Sequence, residues 1–373
     1  MGAGQLSRGA GMSRTSRTSR MSKNAQEDRA RRSGDVLAVV SQGGGTVSFF
    51  DAASDGLLGV VEVPSEPHEL CFDAERRLLW CSTAYRSGYY HANGGRASEL
   101  TAIDPDTRRV VAVVDLAPEH APHGLALDAR RGLLYVSVEA GADRPGGVVV
   151  VDAATRRAVG RIDTAAPGPH WFAIDPAGRW GYAANKEAGF VSVVDLERGV
   201  LVDRVAVPGS EGLAVSADGS RVYAAGPYLG FAHRPEPRPQ FGVRVIDAAV
   251  REVVAVLPTE DPALPVHLTA GGLLLVGEVR TEGAMGGGLG RQLPGRLSVF
   301  DPATGERSAA LETGRFPLTI TSSPDGRLAY LAAVESSTVD VVDLASFGLL
   351  ARLPVPKRGE PGAHGLAYVP RNG

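Results

Sequence analysis

A seven-bladed β-propeller is the fold class this sequence predicts, and three observations predict it. A strand ending in aspartate recurs seven times along the 373 residues. A second apolar hairpin precedes each later recurrence. The two ends of the chain carry complementary pieces of one more repeat, as a ring closed by its own termini requires.

The aspartate strands are SFFDAASDGLL (Asp51), TAIDPDTRRVV (Asp104), VVVDAATRRAV (Asp152), SVVDLERGVLV (Asp195), RVIDAAVREVV (Asp247), SVFDPATGERS (Asp301) and DVVDLASFGLL (Asp343). Asp51 to Asp343 is 292 residues over six intervals, about 49 each, which suits one blade per repeat. Asp followed by Pro, Ala, Thr or Gly is turn chemistry, in which the carboxylate caps backbone N–H groups as the chain reverses. These seven carboxylates are therefore read as structural. The preceding hairpins are clearest in PHGLALDARRGLLYVSVE (122–139), PHWFAIDPAGRWGYAANK (169–186), SEGLAVSADGSRVYAAG (210–226) and PLTITSSPDGRLAYLAA (317–333). Two hairpins give four antiparallel strands, A to D. The chain starts with B, C and D (36–41, 45–50, 57–63) and finishes with an orphan A, AHGLAYV (363–369). Joining them completes the seventh blade and leaves no open edge.

Composition bounds the rest. Apolar residues at 43% suffice for a core, and a net charge of −3 implies no field that would recruit nucleic acid. The two cysteines, Cys71 and Cys81, lie on neighbouring strands and read as free buried thiols. No apolar run approaches the ~20 residues of a membrane helix. Residues 1–34 are rich in Ser, Arg and Gly and read as a disordered basic tail, with Met12 and Met21 as alternative starts. No apolar stretch follows these charges, as a secretory leader would need. The expectation is a cytoplasmic monomer with one domain over 35–370, no membrane or nucleic-acid partner and no nucleotide cofactor.

The hairpins ending LYVS, GYAAN, VYAAG and AYLAA, with turns DPAG and SPDG, resemble the YVTN-type seven-bladed propeller repeats. That family includes lactonase-like enzymes, surface-layer proteins and binding proteins. A more distant resemblance is to virginiamycin B lyase, which implies His and Glu at the channel mouth with a divalent metal.

In such a ring the start of strand A and the end of strand B converge on one mouth of the channel. Aligned on His123-Gly124-Leu125, the starts of the A strands hold His68, His123, His170, Glu211, Val266, Leu318 and His364. Four of the eight histidines thus share one phase of the repeat. The ends of the B strands add Tyr85, Glu139, Lys186, Glu187, Glu278 and Glu335. Imidazoles and carboxylates around one axis suit a divalent metal or a general acid–base pair. A water-filled mouth capped by solvated histidines is the structural alternative. His267 falls one residue late in this alignment, and His91, His120 and His233 fall in loops.

Three B–C loops, 83–98, 226–242 and 278–296, exceed what a hairpin needs and suit a pocket. They carry Tyr85, Arg86, Tyr89, Tyr90, Tyr228, Phe231, Arg234 and Phe241, and the Gly-rich third suits a lid. No nucleophile elbow, CxxC, HExxH or dinucleotide fingerprint is present, which disfavours serine-hydrolase and nicotinamide chemistry. The expected function is a small-molecule enzyme with lyase, lactone or ester hydrolase, or isomerase chemistry. His123, His170, His68 and Glu139 are the expected catalytic residues, and His68, His123 and His170 the candidate metal ligands. Tyr85, Arg86, Glu211, Tyr228 and His364 are expected to contact substrate. A non-catalytic binding ring, with an exposed apolar patch on one face, is the other function class.

Overall fold

Burial along each repeat falls outward, and this is what stacks the strands into blades. In blade 1, Leu78–Thr83 is buried at every position, whereas the outer strand Arg109–Asp115 is mostly exposed. The computed structural model describes residues 32–87, 94–227, 240–282 and 290–372. Among the described residues there is no helix, and seven antiparallel four-stranded sheets form the blades. Their innermost strands are Pro67–Asp73, His120–Asp128, Pro169–Ile174, Leu213–Val215, Ala263–Leu268, Pro317–Ser322 and Ala363–Val369. Each touches the innermost strand of the next blade right round the ring. The fold class expected from the sequence is the one observed.

Closure follows the predicted pairing. Ala363–Val369 runs antiparallel to Val36–Ser41, with Leu37 opposite Tyr368 and Val39 opposite Leu366. Tyr368 donates its hydroxyl to Asp35 at 2.6 Å, and Leu366 and Tyr368 pack with Leu37, Phe50 and Tyr330. The seven aspartates cap turns as expected: Asp51 Oδ1, for example, accepts the N–H groups of Ala53 and Ser54 at 3.1 and 2.7 Å. Cys71 and Cys81 are free, and burial pushes both thiols up to about 12. Residues 1–31 lie outside the described residues. Arg32, read as tail, is buried with its Nε donating to the Ala52 carbonyl at 3.3 Å, so the ring reaches into that segment.

One irregularity positions the site. In blade 1 the A–B pairing runs from Pro67 opposite Thr83 to Leu70 opposite Cys81, so three steps on A match two on B. The same extra residue occurs between Pro122 and Leu125, Pro169 and Phe172, Ala263 and Val266, and Ala363 and Leu366. It is a β-bulge repeated around the ring, a device that frees residues from the ladder and re-aims their side chains. In blades 1, 2, 3 and 7 the freed pair begins with His68, His123, His170 and His364 respectively.

The bulge also corrects the sequence alignment. In blade 5, Ala263 pairs with Glu278 as Pro67 does with Thr83, so the position equivalent to His68 is Leu264, not Val266. His267 lies three positions past that phase rather than one, and its Nε2 meets Ser322 Oγ at 2.8 Å. His120 begins an inner strand rather than lying in a loop.

Candidate functional site

The bulges deliver four imidazoles to the ring axis. Ser82 on strand B accepts the Glu69 N–H at 3.1 Å and donates to the His123 carbonyl of the next blade at 2.7 Å. Ser137 accepts the Gly124 N–H at 2.9 Å and donates to the His170 carbonyl. Each serine thus satisfies a bulged amide and fixes the neighbouring blade's histidine. Gly124 is needed there: a Cβ would lie 2.5 Å from the His170 carbonyl oxygen.

His68, His123, His170 and His364 are 3%, 1%, 2% and 0% exposed. They are buried groups, which corrects the picture of solvated rings at a wet mouth. His68 Nε2 lies 3.2 Å from His170 Nε2, and the ring centroids of His68–His364, His123–His170 and His68–His123 are 4.1, 4.4 and 4.6 Å apart. Burial holds His68, His123 and His170 below the usual histidine range, and neighbouring cationic groups including Lys186 push the same way. These rings are therefore neutral at pH 7, as close packing of imidazoles demands.

Three carboxyl groups meet them. Glu139 Oε1 accepts from Tyr85 Oη at 2.6 Å and lies 3.0 Å from His123 Nε2, and Arg96 Nε is 3.4 Å from Oε2. Burial alone would raise Glu139, but the hydrogen bonds from His123 and Tyr85 and the charge of Lys186 outweigh it and hold the group at about 2. Glu211, whose Oε1 is 3.3 Å from His170 Nδ1, and Glu69, whose Oε1 is 3.2 Å from His364 Nδ1, are both raised by burial. Two environments thus push carboxyl groups in opposite directions within one site, as acid–base chemistry requires.

The four histidines, Tyr85, Glu139 and Glu211 line a cavity of about 220 Å³, together with Gln42, Lys186, Glu187, Leu264, Phe316 and Leu318. Its volume is roughly that of seven liquid waters. Blades 7 and 1 to 4 supply the polar wall, and blades 5 and 6 an apolar one. His68, His123 and His170 each offer a ligand atom within 4.8 Å of the others, and so do His68, Glu69 and His364.

The sequence-predicted residues His68, His123, His170, Glu139, Glu211, Tyr85 and His364 all line this cavity. Arg86 does not: its guanidinium pairs with Glu99 on the exposed side of the loop. Tyr228 lies outside the described residues, as do Tyr89, Tyr90, His91 and His233. Glu278 is tied to Arg296, Ser298 and two backbone amides in a structural clip away from the axis. Sequence reasoning missed Glu69, Gln42 and Arg96. Glu69 alone left a signal, an acid inside the apolar strand PHELCFD.

No family model matches the chain. Two curated relatives, the uncharacterized protein YncE of Salmonella typhi and that of Salmonella typhimurium, are each 26% identical over 223 residues. The match covers 59% of this chain, which spans about half, 56%, of their length. Similar solved structures include hydrazine synthase from Kuenenia stuttgartiensis, at TM-score 0.62 and 19% identity over 78% of this chain and 86% of that one. A functionally unknown protein from Desulfotomaculum acetoxidans gives 0.65 and 13% over 90% and 99%. The dihydro-heme d1 dehydrogenase NirN gives 0.57 and 17% over 88% and 75%. The chain is a seven-bladed propeller distantly similar to YncE, and the structural likenesses concern the fold alone.

Proposed function

We propose that the chain is a small-molecule enzyme whose reaction centre is the axial cavity, with lyase, lactone or ester hydrolase, or isomerase chemistry. This is the chemistry that the YVTN-type lactonase-like and virginiamycin B lyase resemblances imply. One observation carries the reading. Four buried imidazoles line a single cavity with two carboxyl groups in opposed environments, Glu139 and Glu211, where a purely structural core would hold apolar side chains.

His68, His123 and His170 are the proposed ligand set for a divalent metal. The 3.2 Å between His68 Nε2 and His170 Nε2 is close to the roughly 3.3 Å edge of a tetrahedron with bonds of 2.0–2.1 Å. Glu139 on His123 and Glu211 on His170 then act as the outer carboxylates that orient ligating imidazoles. When bound, the ion supplies a Lewis acid for a developing oxyanion. Glu211, raised by burial and with Oε2 unpartnered among the described residues, is the proposed proton-transfer group. Tyr85 and His123 hold Glu139 ionised, so it positions His123 rather than accepting a proton. The cavity admits a compact substrate, its polar end against the histidines and its apolar end against Leu264 and Leu318.

The test is turnover of a panel of small lactones, esters and β-eliminating acids by the metal-loaded chain. Glu211→Gln should weaken metal binding by about 10–100-fold as an outer partner and, assayed at saturating metal, still lower kcat by about 10²–10⁴-fold. His123→Ala should lose the metal. Turnover indifferent to both changes overturns the assignment, and no turnover across the panel overturns the enzymatic reading. A binding ring would instead show an apolar patch on one face. The exposed apolar residues, such as Leu58, Val113, Val159, Val254 and Leu350, are spread over the outer strands of five blades.

A further inference from the structure

Most buried carboxylates of this ring have an arginine or backbone N–H groups as partners; Glu66, Glu69 and Glu211 do not among the described residues, Glu66 meeting Gln42 and Glu211 meeting His170. Glu278, Asp340, Glu119 and Asp73 each sit against an arginine, at 3.1, 2.5, 2.6 and 3.3 Å respectively. Asp195 takes backbone N–H donors instead. Glu69 has neither kind of partner among the described residues, although it is as buried as they are. Its contacts are His364 Nδ1 at 3.2 Å and the Thr319 hydroxyl at 3.5 Å, both to Oε1.

His364 is equally unusual. It is fully buried, and neither ring nitrogen has an aligned hydrogen-bond partner among the described residues. A buried imidazole without partners forfeits the free energy of its lost water contacts unless something else takes their place. His68 Nδ1, also buried and unpartnered, belongs to the ring stacked 4.1 Å from His364. Three buried ring nitrogens on two neighbouring imidazoles therefore lack an aligned partner among the described residues, and in a neutral imidazole one of the two nitrogens presents a lone pair.

We propose that His68, Glu69 and His364, with Thr319 beside the carboxylate, form a second divalent-cation position flanking the three-imidazole set. The ligand atoms of this trio lie within 4.8 Å of one another, and the two trios share His68 alone. Two imidazoles and one carboxylate are a donor set that suits Fe²⁺, Mn²⁺ or Zn²⁺ with coordination positions left open. The cation would supply Glu69 with the positive charge that arginine gives Glu278, Asp340, Glu119 and Asp73. The position rests on the reading above only through His68, whose ring would serve one ion or, on releasing its N–H proton to solvent as metal binds, bridge two as an imidazolate.

The experiment is a titration of chelator-stripped full-length chain with Mn²⁺ and with Zn²⁺, read by calorimetry and by bound-metal analysis, with melting curves as a folding control. Wild type should bind two ions. Glu69→Gln, which keeps the side chain's size, and His364→Gln should each bind one, the lost site weakening by at least roughly 100-fold, since loss of even an outer partner costs 10–100-fold. His123→Ala should lose the other ion and keep this one. Two ions bound by folded Glu69→Gln overturn the proposal. So does a single wild-type ion indifferent to Glu69 and His364, as a protonated Glu69 sharing its proton with His364 would give. If that single ion responds to His123→Ala, the three-imidazole reading survives alone. A single ion lost by Glu69→Gln and indifferent to His123→Ala upholds this position and overturns the other.

Discussion

Removing the last strand, by deleting residues 362–373, should abolish cooperative folding. Every position of Ala363–Val369 is buried. Leu366, Tyr368 and Val369 alone would return three large side chains to water, roughly 5–9 kcal/mol at 1.5–3 kcal/mol each. That is comparable to the whole stability of a typical domain, about 5–15 kcal/mol. The deletion also strips the partner from Val36–Ser41 and uncovers an edge strand. Urea unfolding, followed by tryptophan fluorescence and circular dichroism, should show a broad, non-coincident loss of signal in the truncated chain. Adding a peptide of residues 362–373 should restore a single transition. A truncated chain that unfolds in one transition at the wild-type midpoint would refute the closure argument.

Other consequences follow from named contacts. Arg352→Ala leaves Asp340, among the described residues, with the Gly314 N–H at 2.8 Å as its remaining partner; because the Arg352 side chain is 44% exposed, the cost in denaturant melts should be about 2 kcal/mol, below the 3–5 of a fully buried pair. Gly124→Ala pushes a methyl group toward the His170 carbonyl; it should cost roughly 1–3 kcal/mol and weaken metal binding with it, whereas unchanged affinity would mean the blade 2–3 contact does not set the His170 position. Burial lowers His267 to about 4, so the folded chain keeps this ring neutral while the unfolded chain protonates it below about 6.5. Its contribution is therefore complete above pH 6.5 and lost as pH falls toward 4, by up to about 3 kcal/mol. The ring keeps some contact with solvent, which reduces that figure. Urea midpoints of wild type minus His267→Gln should fall over this window, and a flat difference would show that the ring is protonated in the fold.

What the sequence disclosed was what local chemistry and repetition encode. Asp51 and its six counterparts announce their turns because Asx capping is decided within three residues. The strand 363–369 announces closure because it lacks partners of its own. The histidine phase was legible in blades 1, 2, 3 and 7 because the same Pro-His or Ala-His step recurs there. In blade 5 the pattern points to Val266 whereas the equivalent position is Leu264, because a β-bulge leaves no mark in the residue pattern. The depth of the histidines depends on how neighbouring blades crowd the axis, which one blade's strand pattern does not contain. Glu69 was hidden by its position, since Gly124, Gly212 and Gly365 occupy the equivalent place and carry nothing chemical. Arg86 follows Tyr85 in sequence but turns outward to Glu99, a choice made by the loop rather than the strand.

The central claim is that the buried imidazoles are a working site rather than a structural plug. Zinc titration of stripped wild type against His68→Ala, His123→Ala and His170→Ala, with His267→Ala as a control outside the cavity, tests it most directly. The account predicts that each of the three loses affinity by at least roughly 100-fold, with stability changed by no more than about 1–2 kcal/mol, since each ring makes at most one hydrogen bond of ordinary worth. His267→Ala should bind zinc as wild type does. Wild-type affinity in all three variants, accompanied by losses of 3 kcal/mol or more of the order expected for broken core packing, would contradict it.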